Sequence, residues 1–162
     1  MRSSRNRISR MSDFAALPRC YFATPEYRAL SVGARALLIE FVLKFTGRNN
    51  GNLEMTAEQA KQLGIGSAQT FQKYKVELIN AGWIIVTRQG GLGNRCNLYA
   101  LTYIGIDNTG RLYDDARRAD PMPLHLWKKE NAHKRDERRV SKSRRRIETL
   151  IGSTASTEVH AH

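Results

Sequence analysis

The sequence predicts an α+β fold that is mainly helical, with three to four helices and a small antiparallel hairpin or three-stranded sheet. Three observations predict it. Thr56-Ala57-Glu58-Gln59 is a capping box, in which the threonine hydroxyl accepts from the amide three residues on while the glutamine side chain reaches back, so a helix starts there. Gly64-Ile65-Gly66 then breaks that helix and Ser67 starts another, which joins two short helices by a tight turn. After them, two runs of strand-forming residues flank a glycine-rich loop, the pattern of a hairpin.

In chain order, residues 1–13 read as a flexible basic arm, because Arg2, Arg5, Arg7 and Arg10 come without hydrophobic periodicity. The folded domain is expected over residues 14–107. Leu17, Tyr21 and Phe22 are its first core contributors, and Thr24-Pro25-Glu26 opens a short helical turn, a cap followed by a proline that needs no amide hydrogen bond. Ser31 caps the next helix, whose Leu37, Leu38, Phe41, Val42 and Phe45 build the core. Gly47 to Asn52 is a turn, marked by an Asn-Gly pair that favours positive φ. Leu53-Glu54-Met55 is expected to be a short first strand pairing with the hairpin.

From Ala68 to Ala81 the apolar residues Ala68, Phe71, Tyr74, Leu78 and Ile79 recur at three and four, one side of a helix. The other side carries Gln69, Thr70, Gln72, Lys73, Val76 and Asn80, with Ser67 at the tip and Glu77 its only acid. Glutamine and asparagine amides pair with adenine edges, threonine meets a thymine methyl, and lysine serves guanine or phosphate. An ordinary solvated face has a similar composition, so the hairpin that follows carries weight. Gly82 ends the helix, Trp83 to Arg88 is a first strand, and Arg95 to Thr102 a second. The loop between them, Gln89 to Asn94, is longer than the two residues a tight turn needs and has an arginine at each shoulder.

Helix, turn, helix and hairpin in this order make the plan of a winged helix-turn-helix, in which the second helix enters the major groove and its first residues read bases. On that plan Ser67, Gln69, Thr70, Gln72 and Lys73 are candidates for base readout. Lys75, Arg88 and Arg95 are phosphate candidates, and Gln89, Gly90 and Gly91 complete the wing, whose backbone can approach a phosphate or the minor groove.

Residues from about Leu17 to Asp107 resemble winged-helix proteins encoded by bacterial prophages, plasmids and integrative elements. The resemblance rests on Tyr27-Arg28-Ala29-Leu30-Ser31, Ala34-Arg35-Ala36-Leu37-Leu38, Gly47-Arg48-Asn49-Asn50-Gly51, Ala81-Gly82-Trp83-Ile84, Thr87-Arg88-Gln89-Gly90-Gly91 and Tyr99-Ala100-Leu101-Thr102. It implies a transcriptional regulator or replication accessory protein of a mobile element. The group is heterogeneous in role, so the fold is implied more sharply than the function.

The formal charge of +12 points to a polyanionic partner, and its placement sharpens this. Residues 1–10 contribute +4, residues 11–123 contribute +3 and residues 124–162 contribute +5. Residues 108–123 read as a linker or packed arm. Residues 124–151 are a basic extension, helical or partly disordered, with Lys128, Lys129, Arg138, Arg139, Arg144, Arg145 and Arg146 as sequence-independent phosphate contacts. Its apolar stripe is thin, little beyond Trp127, Val140, Ile147 and Leu150. Residues 152–162 are expected to be a disordered tail.

Enzyme chemistry has little to stand on. Cys20 and Cys96 form no CxxC, and His125, His133, His160 and His162 show no metal-ligand spacing with them. Gly90-Gly91-Leu92-Gly93 precedes a strand, so it is no dinucleotide loop. No cofactor, metal or membrane span is expected, and the chain reads as a cytoplasmic, nucleoid-associated protein whose partner is double-stranded DNA. A homodimer would double the half-site, although no dimerisation surface stands out in the sequence. Two other classes stay open: a module that docks on a replication or host defence complex through the winged helix and basic tail, and an RNA binder that stacks bases on Tyr99, Tyr103 and Trp127.

Overall fold

The computed structural model describes residues 15–91, 95–110 and 119–137. It is an α+β fold with a three-stranded antiparallel sheet. Helix α1 spans Arg19–Phe22, α2 Pro25–Arg28 and α3 Val32–Lys44; strand β1 spans Leu53–Glu54; α4 spans Ala57–Gln62 and α5 Ala68–Asn80; β2 and β3 span Ile84–Arg88 and Leu98–Leu101. A 3-10 turn at Lys129–Asn131 leads into helical residues 132–137.

The helix starts follow their caps. Thr24 accepts from the Tyr27 amide with Pro25 at the first helical position, Ser31 accepts from Ala34, and Ser67 accepts from Thr70. Both halves of the capping box at Thr56 and Gln59 form.

The ends of α4 and α5 are the same device twice. Ile65 donates to the Ala60 carbonyl and Gly64 to Lys61, while Trp83 donates to Leu78 and Gly82 to Ile79. This is a Schellman closure, in which a residue in the left-handed region turns the chain out of the helix and satisfies its last carbonyls. Gly64 and Gly82 take that position at φ +77° and +79°. The closure brings the apolar residue that follows back onto the helix: Ile65 packs against the core, and Trp83 lies in it.

The main core joins Leu37, Leu38 and Phe41 of α3 to Phe71 and Leu78 of α5 and to Trp83, Ile84, Tyr99 and Leu101. The α3–α5 crossing is close because position 33 has no side chain, a Cβ there falling 2.1 Å from Tyr74 Cζ. In the sheet β3 lies between β1 and β2, with Leu53 opposite Tyr99 and Ile84 opposite Leu101.

All four residues of β3 and the first four of β2 are buried, because the sheet is covered on both faces. Ile84, Val86, Tyr99 and Leu101 face the helices, while Ile85 and Ala100 pack with Ile106 and Leu126 in a second cluster. That cluster is closed by a returning segment: Asp120 bridges Ile106, and Leu126 and Trp127 are buried, Trp127 stacking on Trp83 at 5.0 Å between centroids. Leu124 and Leu126 thus pack over the second face of the sheet and Trp127 on Trp83. Trp127, a lone aromatic before a polar run, carries no periodic signal for this contact.

Some expectations need correction. Leu17 and Ala68 are exposed, not core. The strands are shorter than their sequence runs: Trp83 closes α5 instead of opening β2, and β3 begins at Leu98. A bulge between Val86 and Arg88 shifts the register, and Thr87 there sends its hydroxyl to the Gly51 carbonyl at 2.6 Å.

Candidate nucleic-acid interface

The outward face of α5 is built by the residues left over from core packing. With Phe71 and Leu78 buried and Tyr74 against α3, the helical repeat turns Gln69, Gln72, Lys73, Val76 and Asn80 outward, and all five are exposed. Val76 is 40% exposed in the middle of this face. Glu77 does not share it. Its carboxylate accepts from the Ser31 amide at 2.6 Å and from the Ser31 hydroxyl at 2.8 Å, and so sits on the N-terminus of α3, where the helix dipole favours an anion. The acid that the sequence places on this side is therefore committed elsewhere, and the outward face carries amides, one ammonium and one apolar side chain.

Glu77→Ala should cost about 1–2 kcal/mol of stability, the usual loss for a charge-assisted cap, read as a fall in the urea midpoint with unchanged slope. Glu77→Gln should recover part of it.

The tip residues are less free than the sequence suggests. Ser67 and Thr70 share a hydroxyl contact of 3.0 Å, and the Thr70 methyl lies against Gly66. Both are engaged in starting the helix. Lys75 is half-buried over the Phe71 ring at 5.1 Å, and desolvation there lowers its pKa. Its ammonium lies to one side of the Gln69–Lys73 face.

The hairpin extends beyond its strands. Gly91 and Arg95 form a bridge, the Gly91 amide donating to the Arg95 carbonyl at 3.2 Å; residues 92–94 of the expected wing lie outside the described residues. Gly90 is needed for that closure, since a Cβ there would meet the Arg95 carbonyl oxygen at 2.5 Å. Asn97 holds the base, accepting from the Gly90 amide and, at 3.1 Å, from the Gln89 side chain. Sequence reasoning missed Asn97, although a polar residue inside a strand run opposite a glycine pair is a signal for such a lock. Arg95 and Gly91 are exposed, and Arg88 is half-buried at the bulge. Cys96 between them has its thiol pKa pushed up by burial and then by the neighbouring Glu54, which leaves it a poor nucleophile.

Lys128 and Lys129 lie beside the buried Trp127, Lys128 pairing with Glu130 at 3.4 Å. The returning segment also reaches α5 directly: Arg135 donates to the Ala81 carbonyl at 2.9 Å, at the helix end. Arg2, Arg5, Arg7, Arg10, Arg138, Arg139, Arg144, Arg145 and Arg146 lie outside the described residues. Tyr99, Tyr103 and Trp127 are buried in the core, and burial pushes the Tyr103 phenol far above its usual range, so the stacking surface expected of an RNA binder is not formed by these three rings. Among the described residues no group of three or more histidine, cysteine or acidic side chains could hold a metal, and no helix is long and apolar enough to cross a membrane.

Comparison with protein families, with curated proteins and with solved structures finds no match to this chain.

Proposed function

We propose that the chain binds duplex DNA as a winged helix-turn-helix protein, α5 lying in the major groove and the β2–β3 hairpin acting as the wing. The observation that carries this reading is the acid-free outward face of α5, cleared by the commitment of Glu77 to the N-terminus of α3. Gln69, Gln72 and Lys73 are its base-reading residues and Asn80 a contact further along, since these side chains match base edges. Arg95 and the Gly90-Gly91 backbone meet the phosphate backbone, and the net charge of +12 supplies salt-sensitive affinity for any sequence. The biological role that fits the resemblance is regulation or replication support for a bacterial mobile element.

A selection from random duplex DNA at about 50 and 200 mM salt tests this, because phosphate-dominated binding falls by orders of magnitude over that span. The expected result is an enriched motif that survives the higher salt, and Gln69→Ala or Lys73→Ala should relax it at about 1–3 kcal/mol per lost base contact. Absence of any motif, with binding lost at high salt, would refute sequence-specific recognition. Val76 at the centre of the face, with Leu63 45% exposed in the turn before it, favours the second reading, docking on a protein partner. In that case excess competitor DNA leaves the complex intact.

A further inference from the structure

Helix α3 is apolar on two opposite sides, and the fold uses only one. Ala34, Leu37, Leu38, Phe41 and Val42 are buried in the core. On the far side Val32, Ala36, Ile39 and Leu43 recur at four, three and four residues, a stripe along the whole helix. Val32 is 75% and Leu43 58% exposed, Ala36 is exposed and Ile39 half-buried. Contacts to α5 are made at Ser31 and Gly33, and none of the four stripe residues belongs to either core cluster. A helix apolar all round calls for a second neighbour.

We infer that this stripe is the contact between two copies of the chain, paired in parallel through α3. The four-three-four spacing is the seam of a two-stranded coiled coil, in which knobs from one helix enter holes in the other. The flanking charges decide which neighbour and which direction. Arg35 and Glu40 stand on opposite borders of the stripe and five residues apart, the relation by which one helix's cation meets a parallel copy's anion. Two-fold symmetry then makes the same pair twice. An antiparallel pair would set the arginine border against itself and the glutamate border against itself. Neither residue is in an ion pair among the described residues, Arg35 having only a cation–π contact to the Tyr27 ring at 5.9 Å. One helix of 13 residues is about 20 Å long and supplies less than the roughly 800 Å² per partner of a standard interface, so the dimer is weak and concentration-dependent.

The inference does not rest on DNA binding and is tested without nucleic acid, by sedimentation equilibrium of the full chain over about three decades of concentration up to about 0.5 mM. The wild-type chain should pass from monomer to dimer. Leu43→Glu, an exposed position whose change leaves the monomer core intact, should weaken the dimer by about a hundredfold or more, because each copy then buries an unpaired carboxylate. Arg35→Glu and Glu40→Arg should each weaken it by about tenfold, both symmetric pairs turning repulsive, and the double variant Arg35→Glu/Glu40→Arg should restore it. Circular dichroism of every variant checks that the monomer remains folded. A wild-type chain that stays monomeric throughout overturns the inference, as does a dimer indifferent to Leu43→Glu. A dimer weakened by Leu43→Glu but not restored by the double reversal overturns the parallel arrangement.

Discussion

Asn50→Ala is expected to cost about 3–5 kcal/mol of folding free energy, a loss of the size otherwise seen when a large core side chain is removed. The reason lies in the short strand β1. Its two residues pair with Leu98 and Tyr99, which leaves the next positions of β3 without a strand on that side. Asn50, fully buried, supplies what a strand would have supplied. Its Oδ1 accepts from the Leu101 amide at 2.8 Å, and its Nδ2 lies 2.9, 3.1 and 2.8 Å from the carbonyls of Leu101, Ile104 and Gly105. A carboxamide carries the donor and acceptor of a peptide group, so it continues the ladder in place of main chain. Truncation strands the Leu101 amide and carbonyl groups in a dry interior, at about 1–3 kcal/mol for each group that finds no substitute.

The backbone of Asn50 is tied as well, donating to Asp107 Oδ2 and accepting from the Asp107 amide, both at 2.8 Å. Asn50→Asp should be no better than alanine: it keeps the acceptor for Leu101 but sets a carboxylate against three carbonyl oxygens. Urea unfolding with a well-defined baseline measures both, and thermal midpoints should fall by about 10 °C or more. A loss below about 1 kcal/mol for Asn50→Ala would show that the carbonyls find other partners.

Asn50 also marks the boundary of what the sequence could reveal. Local devices were legible because they are written in adjacent residues: the caps at Thr24, Ser31, Thr56 and Ser67, and the glycine closures at Gly64 and Gly82. The Asn-Gly pair at 50 and 51 signals a turn, and Gly51 has φ +107°. What the asparagine side chain does depends on residues more than fifty positions away, and a turn propensity says nothing of them. Glu77 fails to be legible for the same reason. On a helical wheel it belongs to the outward border of α5, but its partner Ser31 lies 46 positions earlier. The strand runs misled in another way. Continuous apolar strands on a small sheet signal cover on both faces, and the cover over the second face comes from Ile106, Leu124 and Leu126, set among polar and proline-marked residues without a period.

Gly82→Ala should be the second severe substitution, at about 2–5 kcal/mol, because the position fails an alanine in two independent ways. The first is conformational. At φ +79° the residue occupies the left-handed region that closes α5, and a Cβ there costs about 1–2 kcal/mol. The second is steric and non-local. The added carbon would lie 2.4 Å from the Leu126 carbonyl oxygen, 2.5 Å from its carbon and 2.8 Å from Arg135 Cδ. Two of these atoms are main chain, so relief requires the returning segment to move off the domain.

Moving that segment has a defined consequence, since Trp127 stacks on Trp83 and Arg135 satisfies the Ala81 carbonyl at the end of α5. Tryptophan fluorescence should therefore shift red and gain accessibility to quencher in the folded Gly82→Ala protein, before any unfolding. The comparison that separates the two causes is Gly64→Ala. It has nearly the same φ, +77°, with nothing within 4 Å of the added carbon, so it should show the conformational cost alone, about 1–2 kcal/mol, with unaltered fluorescence. If the two alanines proved equal, the returning segment would contribute nothing at Gly82, and the second cluster over the sheet would have to be held by Ile106 and Asp120 instead.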